Sequence, residues 1–338
     1  PRFIYADMIQ FFYQSNATVI AFDILFTETQ TSEYNTTGST HDKDLVNATA
    51  ATNTLHSFQL SINQSKKSQI DQSLSSSFFP KQLSNALELP INNKKIPAAS
   101  DFFLPFYDLS SVSSGLGFVD INVDFDGIIR RSDLLRSHKS ITYPSLGLAT
   151  VMNYLNTSNI SITNNNRLNL ANYHIPLQND LTYVPKFKRS FSTYSAGAII
   201  QSIQALQQGR IEDMMVMPDE FENKILFIGT SAAGTHDNLS FSLGSNIPGV
   251  FFHASIVDNI LQNDFYHFIP APIQLIIVCI LIITTAIVVI GFNRKLWGQI
   301  IGIGAIMSSF LGLSIILFMT HSIVIDVIPG LLGGFVSV

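Results

Sequence analysis

Residues 117–133 read GFVDINVDFDGIIRRSD and hold several side chains able to ligate a cation or an anion. Counted from Asn122, the stretch sets Asn122, Asp124 and Asp126 at alternate positions, follows them with Gly127 and puts Asp133 twelfth, the ligand order of a calcium-binding helix-loop-helix. Such a loop is flanked by helices and favours Glu at its twelfth position. Here Val119, Ile121, Val123 and Phe125 alternate strictly with polar residues, a period of two that belongs to a half-buried strand. The expected structure is a hairpin with Asp126–Gly127 as its turn and Ile128 to Leu135 as the return strand, with no metal. Arg130 and Arg131, beside Asp124 and Asp126, form either a surface ion pair or a fork for a carboxylate or phosphate ligand.

A second group follows the apolar run KILFIG (224–229). In GTSAAGTHDN, Gly229 and Gly234 stand at P-loop spacing, but Thr235 occupies the place of the phosphate-binding Lys, so nucleotide hydrolysis is unsupported. A small-residue loop at the carboxyl end of a parallel strand is where open α/β sheets bind ligands, and Thr230, Ser231 and the backbone amides suit an anion. Ser231, His236 and Asp237 invite a hydrolase reading. Sequence neighbours rarely adopt triad geometry and no G-x-S-x-G elbow is present, so no catalytic residue is assigned. Asp23, inside the apolar run AFDILF, needs a partner such as an arginine or a backbone cap. His253 shares the apolar stripe of a helix with Val250, Ala254, Val257 and Leu261 and reads as a core histidine. The candidate ligand-binding set is Asp23, Asp126, Arg130, Arg131, Thr230, Ser231, His236 and Asp237.

These residues need a scaffold. Ile4, Met8, Phe11 and Phe12 recur at helical spacing, and TVIAFDILF (18–26) reads as a strand buried on both faces. From 27 to 100 the chain turns to Ser, Thr, Asn and Gln, which reads as a loop-rich insertion with one weak strand near 56–62. Its NTT, NAT and NQS triplets read as chance matches to the glycosylation pattern. Helices are expected at 142–156, opened by Pro144, at 192–206, capped by Ser192 or Thr193, and at 248–262, with strands at 181–185 and 224–229. Alternating helices and buried strands imply an α/β domain with a mixed, largely parallel sheet and flanking helices.

The charged fraction is 13% and the net charge −5, with no basic run, which argues against a nucleic-acid partner. The lone Cys279 sits in an apolar run, so neither a disulfide framework nor a thiolate cluster is expected, and no cofactor is implied. Residues 273–292 and 299–319 are uncharged runs long enough to span a bilayer, and 323–338 begin a third, giving an α-helical transmembrane region. Arg294 and Lys295 place the loop 293–298 in the cytoplasm by the positive-inside rule, and residues 1–268 then form an extracytoplasmic domain. Gly298 with Gly302, and Gly330 with Gly334, have the spacing of closely packed helices in lipid and fit a homodimer. The opening helix feeds directly into a buried strand, so an anchor and a first strand are expected to precede Pro1, and an output module to follow Val338.

Together AFDILF (21–26), GFVDINVDFDGIIRRSDLL (117–135), YPSLGLA (143–149), FENKILFIGTSAAGTHDN (221–238) and PGVFFHASIVDNIL (248–261) resemble the second type of CHASE domain, the cyclase- and histidine-kinase-associated sensory extracellular family. The resemblance covers most of residues 1 to 268. It implies the sensory input region of a bacterial membrane receptor, multi-pass in the inner membrane, whose output is an adenylate or guanylate cyclase or a kinase. The family carries over no catalytic residues, and its small ligands or periplasmic partners are not fixed by its motifs. The polar region 27 to 100 departs from the family pattern. The competing readings are a membrane-anchored periplasmic hydrolase and a structural membrane protein without ligand.

Overall fold

The computed structural model describes residues 1–30, 38–61, 96–138, 141–230, 238–242, 244–292 and 295–336. It divides into two compact units, Pro1–Asp264 and Phe265–Val338. In the first, helix α1 (Phe3–Gln14) leads to strand β1 (Val19–Asp23), then α2 (Gly38–Ala50), β2 (Thr54–Ser61), β3 (Asp101–Phe103), α3 (Tyr107–Val112) and β4 (Gly115–Phe118). Next come β5 (Leu135–His138), β6 (Ile141–Pro144), α4 (Leu146–Tyr154), β7 (Ile160–Ile162), β8 (Arg167–Leu170), β9 (Tyr173–Pro176) and α5 (Ala196–Gln207). The unit closes with β10 (Ile225–Gly229), β11 (Asn238–Phe241), β12 (Gly244–Pro248) and α6 (Val250–Leu261).

Strands β10, β1, β2 and β4 run parallel in that spatial order, and β3 pairs antiparallel with the far half of β2. β1 is central, which explains its unbroken apolar run. Its Ile20 and Phe22 enter one core with Ile9 and Phe12 of α1, Leu45 of α2 and Ile199 of α5, while Val19 and Ala21 meet Leu146 and Ala149 of α4 on the opposite face. The domain is thus built on a mixed, largely parallel sheet covered on both faces, as the alternation of elements implies.

One close approach sets the sheet against α4. A Cβ added to Gly117 in β4 would stand 2.4 Å from the Leu146 Cα and 2.8 Å from its nitrogen. Backbone cannot swing aside, so Gly117→Ala is expected to cost at least the roughly 3 kcal/mol at the upper end of overpacking penalties. In Gly115→Ala the nearest obstacle is the flexible end of Leu55, 3.1 Å away, and the loss should be smaller. Chemical denaturation of the two variants side by side measures the difference.

Several local expectations are corrected. The region 27–100 is not only loop: α2 docks through the buried Leu45 and Ala48, and β2 is an interior strand flanked by β1 and β4. Residues 31–37 and 62–95 lie outside the described residues. Pro144 does not open the 142–156 helix. It ends β6, and Ser145 caps α4 by accepting from the Leu148 amide at 3.4 Å. Likewise Ser195, not Ser192 or Thr193, caps α5, accepting from Ala198 N–H at 3.1 Å. Residues 181–185 form no strand; Tyr183 makes a single antiparallel bridge to Ser132.

The expected 119–135 hairpin is also not formed as a ladder. Gly127 turns the chain with φ +80°, its amide donating to Asp124 O at 2.9 Å and the Asp124 amide to Ile128 O at 3.2 Å, but Val123 and Phe125 are exposed and, among the described residues, the two arms form no strand ladder with each other, Ile129 and Ser132 making isolated bridges to Phe241 and Tyr183 instead. The alternation fails to make a strand because its polar partners are claimed by two arginines, described below.

The second unit contains β13 (His267–Phe268), α7 (Ala271–Gly291), α8 (Leu296–His321), β14 (Ile323–Val324) and α9 (Val327–Val336). Helices α7 and α8 are long and apolar enough to cross a membrane. Gly298 and Gly302 are packed within the chain: added Cβ atoms would meet the Phe292 ring and Val288, each at 2.5 Å. Gly330 of α9 likewise sits against Leu281 and Phe310 at 3.0 Å.

Candidate functional site

The carboxyl ends of β1 and β10 lie side by side, with Asp23 and Gly229 as register partners. Asp23 continues the face of Val19 and Ala21, the one covered by α4, and its side chain is 17% exposed. A Cβ on Gly229 would meet the Val250 side chain at 2.9 Å and the Asp23 Cβ at 3.3 Å, so glycine lets α6 close over this edge. Thr230, exposed, is the next residue. Ser231, His236 and Asp237 lie outside the described residues.

α6 supplies the neighbour of Asp23. His253 Nε2 lies 4.0 Å from Asp23 Oδ1, too far for a direct hydrogen bond. His253 is buried, as its place on the apolar stripe predicts, and burial lowers its pKa to about 3, so the ring is neutral beside the carboxylate. Its Nδ1 has no hydrogen-bond partner among the described residues. The edge therefore combines a carboxylate, a hydroxyl and a neutral imidazole at the end of a parallel strand pair, the position where open α/β sheets bind ligands.

A second buried histidine lies one strand over. His56 of β2, register partner of Phe22, stacks on that ring at 4.9 Å and 15°. Its Nε2 shares a hydrogen bond of 3.1 Å with the Thr49 hydroxyl, its Nδ1 has no partner among the described residues, and burial lowers its pKa to about 3. Nothing in the pattern HSFQLSI marks this ring as buried, because Ser57 beside it is buried too.

The acidic ladder divides between two arginines. Arg130 grips Asp126 with both terminal nitrogens, at 2.9 and 2.7 Å, and reaches Asp124 at 3.1 Å. The hydrogen bonds from Arg130, aided by the Ile128 amide, hold the Asp126 carboxyl down at about 2. Arg131 points to Asp180 at 3.4 Å, with both side chains more than half exposed. Arg130 thus makes the ion pair with Asp124 and Asp126 that its sequence raises as one alternative, while its side chain stays 42% exposed.

The other half of the ladder faces a residue outside the sequence-derived set. Arg136 of β5 is fully buried, its Nε donating to Asp133 Oδ2 at 3.0 Å, Nη1 to the Leu60 carbonyl at 2.7 Å and Nη2 to Asn122 Oδ1 at 2.8 Å. Asn122 closes the ring by donating to Asp133 at 2.6 Å, Asp120 accepts from the Leu60 amide, and the guanidinium lies 4.8 Å from the Phe118 ring centre. The spacing of Asp133 and Arg136, three apart, is the only trace of this cluster in the sequence. Asn122 and Asp133, first and twelfth of the apparent calcium order, thus serve a cation the chain provides. A calcium titration of the full chain in detergent is expected to give neither heat nor a thermal shift; a stoichiometric heat would restore the metal reading.

The two candidate groups are on adjoining segments. β11, which starts at Asn238, has its Ser240 carbonyl accepting from the Ile129 amide at 2.8 Å, next to Arg130. A separate groove of about 580 Å³ between α1 and α2, which the sequence does not suggest, is lined by Phe3, Asp7, Gln10, His41, Asp44 and Asn47 among others. Burial and the nearby Asp44 raise the Asp7 pKa above its ordinary value.

A family model described as CHASE2 domain matches residues 1–289. No curated protein and no solved structure matches the chain.

Proposed function

The chain belongs to the CHASE2 domain family, whose members are sensory extracellular domains of signalling receptors, and from that premise we propose that residues 1–268 detect a small ligand or periplasmic partner at the carboxyl edge of the sheet. The site is centred on Asp23 and Thr230, with Asp126, Arg130 and Arg131 on the adjoining segment; Ser231, His236 and Asp237, which lie outside the described residues, are proposed members of it by their place in the sequence alone. The observation that carries this reading is the convergence of Asp23, Gly229 and His253 at the end of the parallel pair β1 and β10, in a chain that continues into two helices of membrane-spanning length. A ligand acts by binding one arrangement of the domain better than another, and the difference passes into the helices. The chain lies in the inner membrane of a bacterium as a homodimer in contact with lipid, with residues 293–298, the last three of which begin α8, on the cytoplasmic side, and drives a nucleotide cyclase or a histidine kinase.

The test fuses a nucleotide cyclase after Val338 and follows its output in membranes exposed to fractionated periplasmic extract. Output that responds in the parent and is lost in Asp23→Asn and Thr230→Ala supports the site. Output that ignores every fraction counts against a sensor, and a response retained in both variants moves the site elsewhere.

A further inference from the structure

Within the second unit, the segment entering the first long helix is bound to the turn between the other two. β13 pairs in parallel with β14, setting His267 beside Ile323 and Phe268 beside Val324. The His267 amide donates to the Ser322 carbonyl at 2.9 Å and the Ile269 amide to the Val324 carbonyl at 3.3 Å. The contacts extend beyond the backbone: the Tyr266 ring stacks on Phe318 of α8 at 5.6 Å and 14°, and Gln274 in the first turn of α7 donates to the Asp326 carbonyl just before α9. Ser322, at the end of α8, takes φ +55°, the reversal that lets Ile323 and Val324 lie alongside β13.

A connector joined only to α7 would pass a displacement to one helix. Here four contacts tie it to the α8–α9 turn, and Gly330 holds α9 tightly against Leu281 of α7 and Phe310 of α8. We propose that this two-stranded strap is the transmission element of the chain, delivering movement of the sensory domain to α9 together with α7 rather than through α7 alone. The proposal rests on the sensory reading above, because it names how that signal travels. Paired strands lie about 4.8 Å apart, so two short hydrogen-bonded pairs couple the segments stiffly along the strand direction while leaving them easy to separate. Two-state coupling of this kind needs a discrete contact that exists in one arrangement and is lost or shifted in the other.

The experiment uses the full chain carrying the cyclase reporter after Val338, in vesicles and in a Cys279→Ser background. His267→Cys with Ile323→Cys puts a thiol pair at register partners, within disulfide reach. Oxidation should link most molecules and shift basal output by about threefold, reversed by a reductant. Ile269→Pro removes the amide that donates to Val324 and should raise hydrogen exchange at Ile323, Val324 and the first turn of α9 by about tenfold. Asn122→Ala, which loosens the Arg136 cluster without removing its buried charge pair, should change output when the strap is intact and lose most of that effect in the Ile269→Pro protein. Output that follows Asn122→Ala equally well with the strap open, or that ignores the disulfide, overturns the strap and leaves the sensor standing. Output insensitive to Asn122→Ala and to periplasmic extract alike removes the sensor, and the strap with it.

Discussion

Replacing Arg136 with Ala lowers the unfolding free energy of the sensory domain by about 3–5 kcal/mol, the usual cost of removing one partner of a buried ion pair. The side chains of Arg136 and Asp133 are 1% and 2% exposed, so the variant leaves a buried carboxylate without its guanidinium partner. Leu60 and Asn122 lose their donor as well, and buried acceptors without partners add to the cost. Arg136→Met combined with Asp133→Leu removes both charges and should recover most of the loss, because an apolar pair of similar volume is often as stable as the ions it replaces. Urea unfolding of the full chain in detergent, followed by circular dichroism, measures both. A loss below about 1 kcal/mol in Arg136→Ala would mean that water reaches the cluster.

Acidification is the second large effect. In the folded chain His56 and His253 are held at about 3 by burial, whereas an unfolded histidine titrates at its ordinary value of 6.5. Above pH 6.5 neither state takes up a proton at these rings and stability is insensitive to them. As pH falls through 6.5 only the unfolded chain binds protons, so stability drops by up to about 1.4 kcal/mol per pH unit for each histidine, until the folded rings titrate near 3. The unfolding midpoint should therefore fall steeply between pH 6 and about 4.5, before most carboxylates contribute. His56→Gln and His253→Asn should each halve the slope, and the double variant should flatten it. An unchanged slope in the double variant would show that both rings protonate in place.

Much of the scaffold was legible because its signals are local. β1 is apolar on both faces and reads as a continuous run, α1 and α6 show one apolar stripe each, and the two long uncharged helices announce themselves by length. What escaped depends on contacts distant in sequence. α2 docks through little more than Leu45 and Ala48, too few apolar positions to stand out among polar residues, and β2 hides its interior place behind buried His56 and Ser57. The 119–135 alternation was real as a pattern and misleading as a strand, since Asn122 and Asp133 turn to Arg136, and Asp124 and Asp126 to Arg130. Asp23 was legible as a charge in an apolar run, but its neighbour His253 stands on a helix far along the chain, and no spacing rule connects them.

The pairing of β1 with β10 joins Val19 to Ile225, some two hundred residues later. During synthesis the apolar TVIAFDILF segment thus leaves the ribosome long before the strand that covers its edge, and the domain core cannot close until that strand has emerged. Pairings this distant make folding slow and leave the early segment open to aggregation. The amino-terminal half of the domain is therefore expected to wait for the carboxyl-terminal half, and the TVIAFDILF segment is where a holding chaperone has the most to protect.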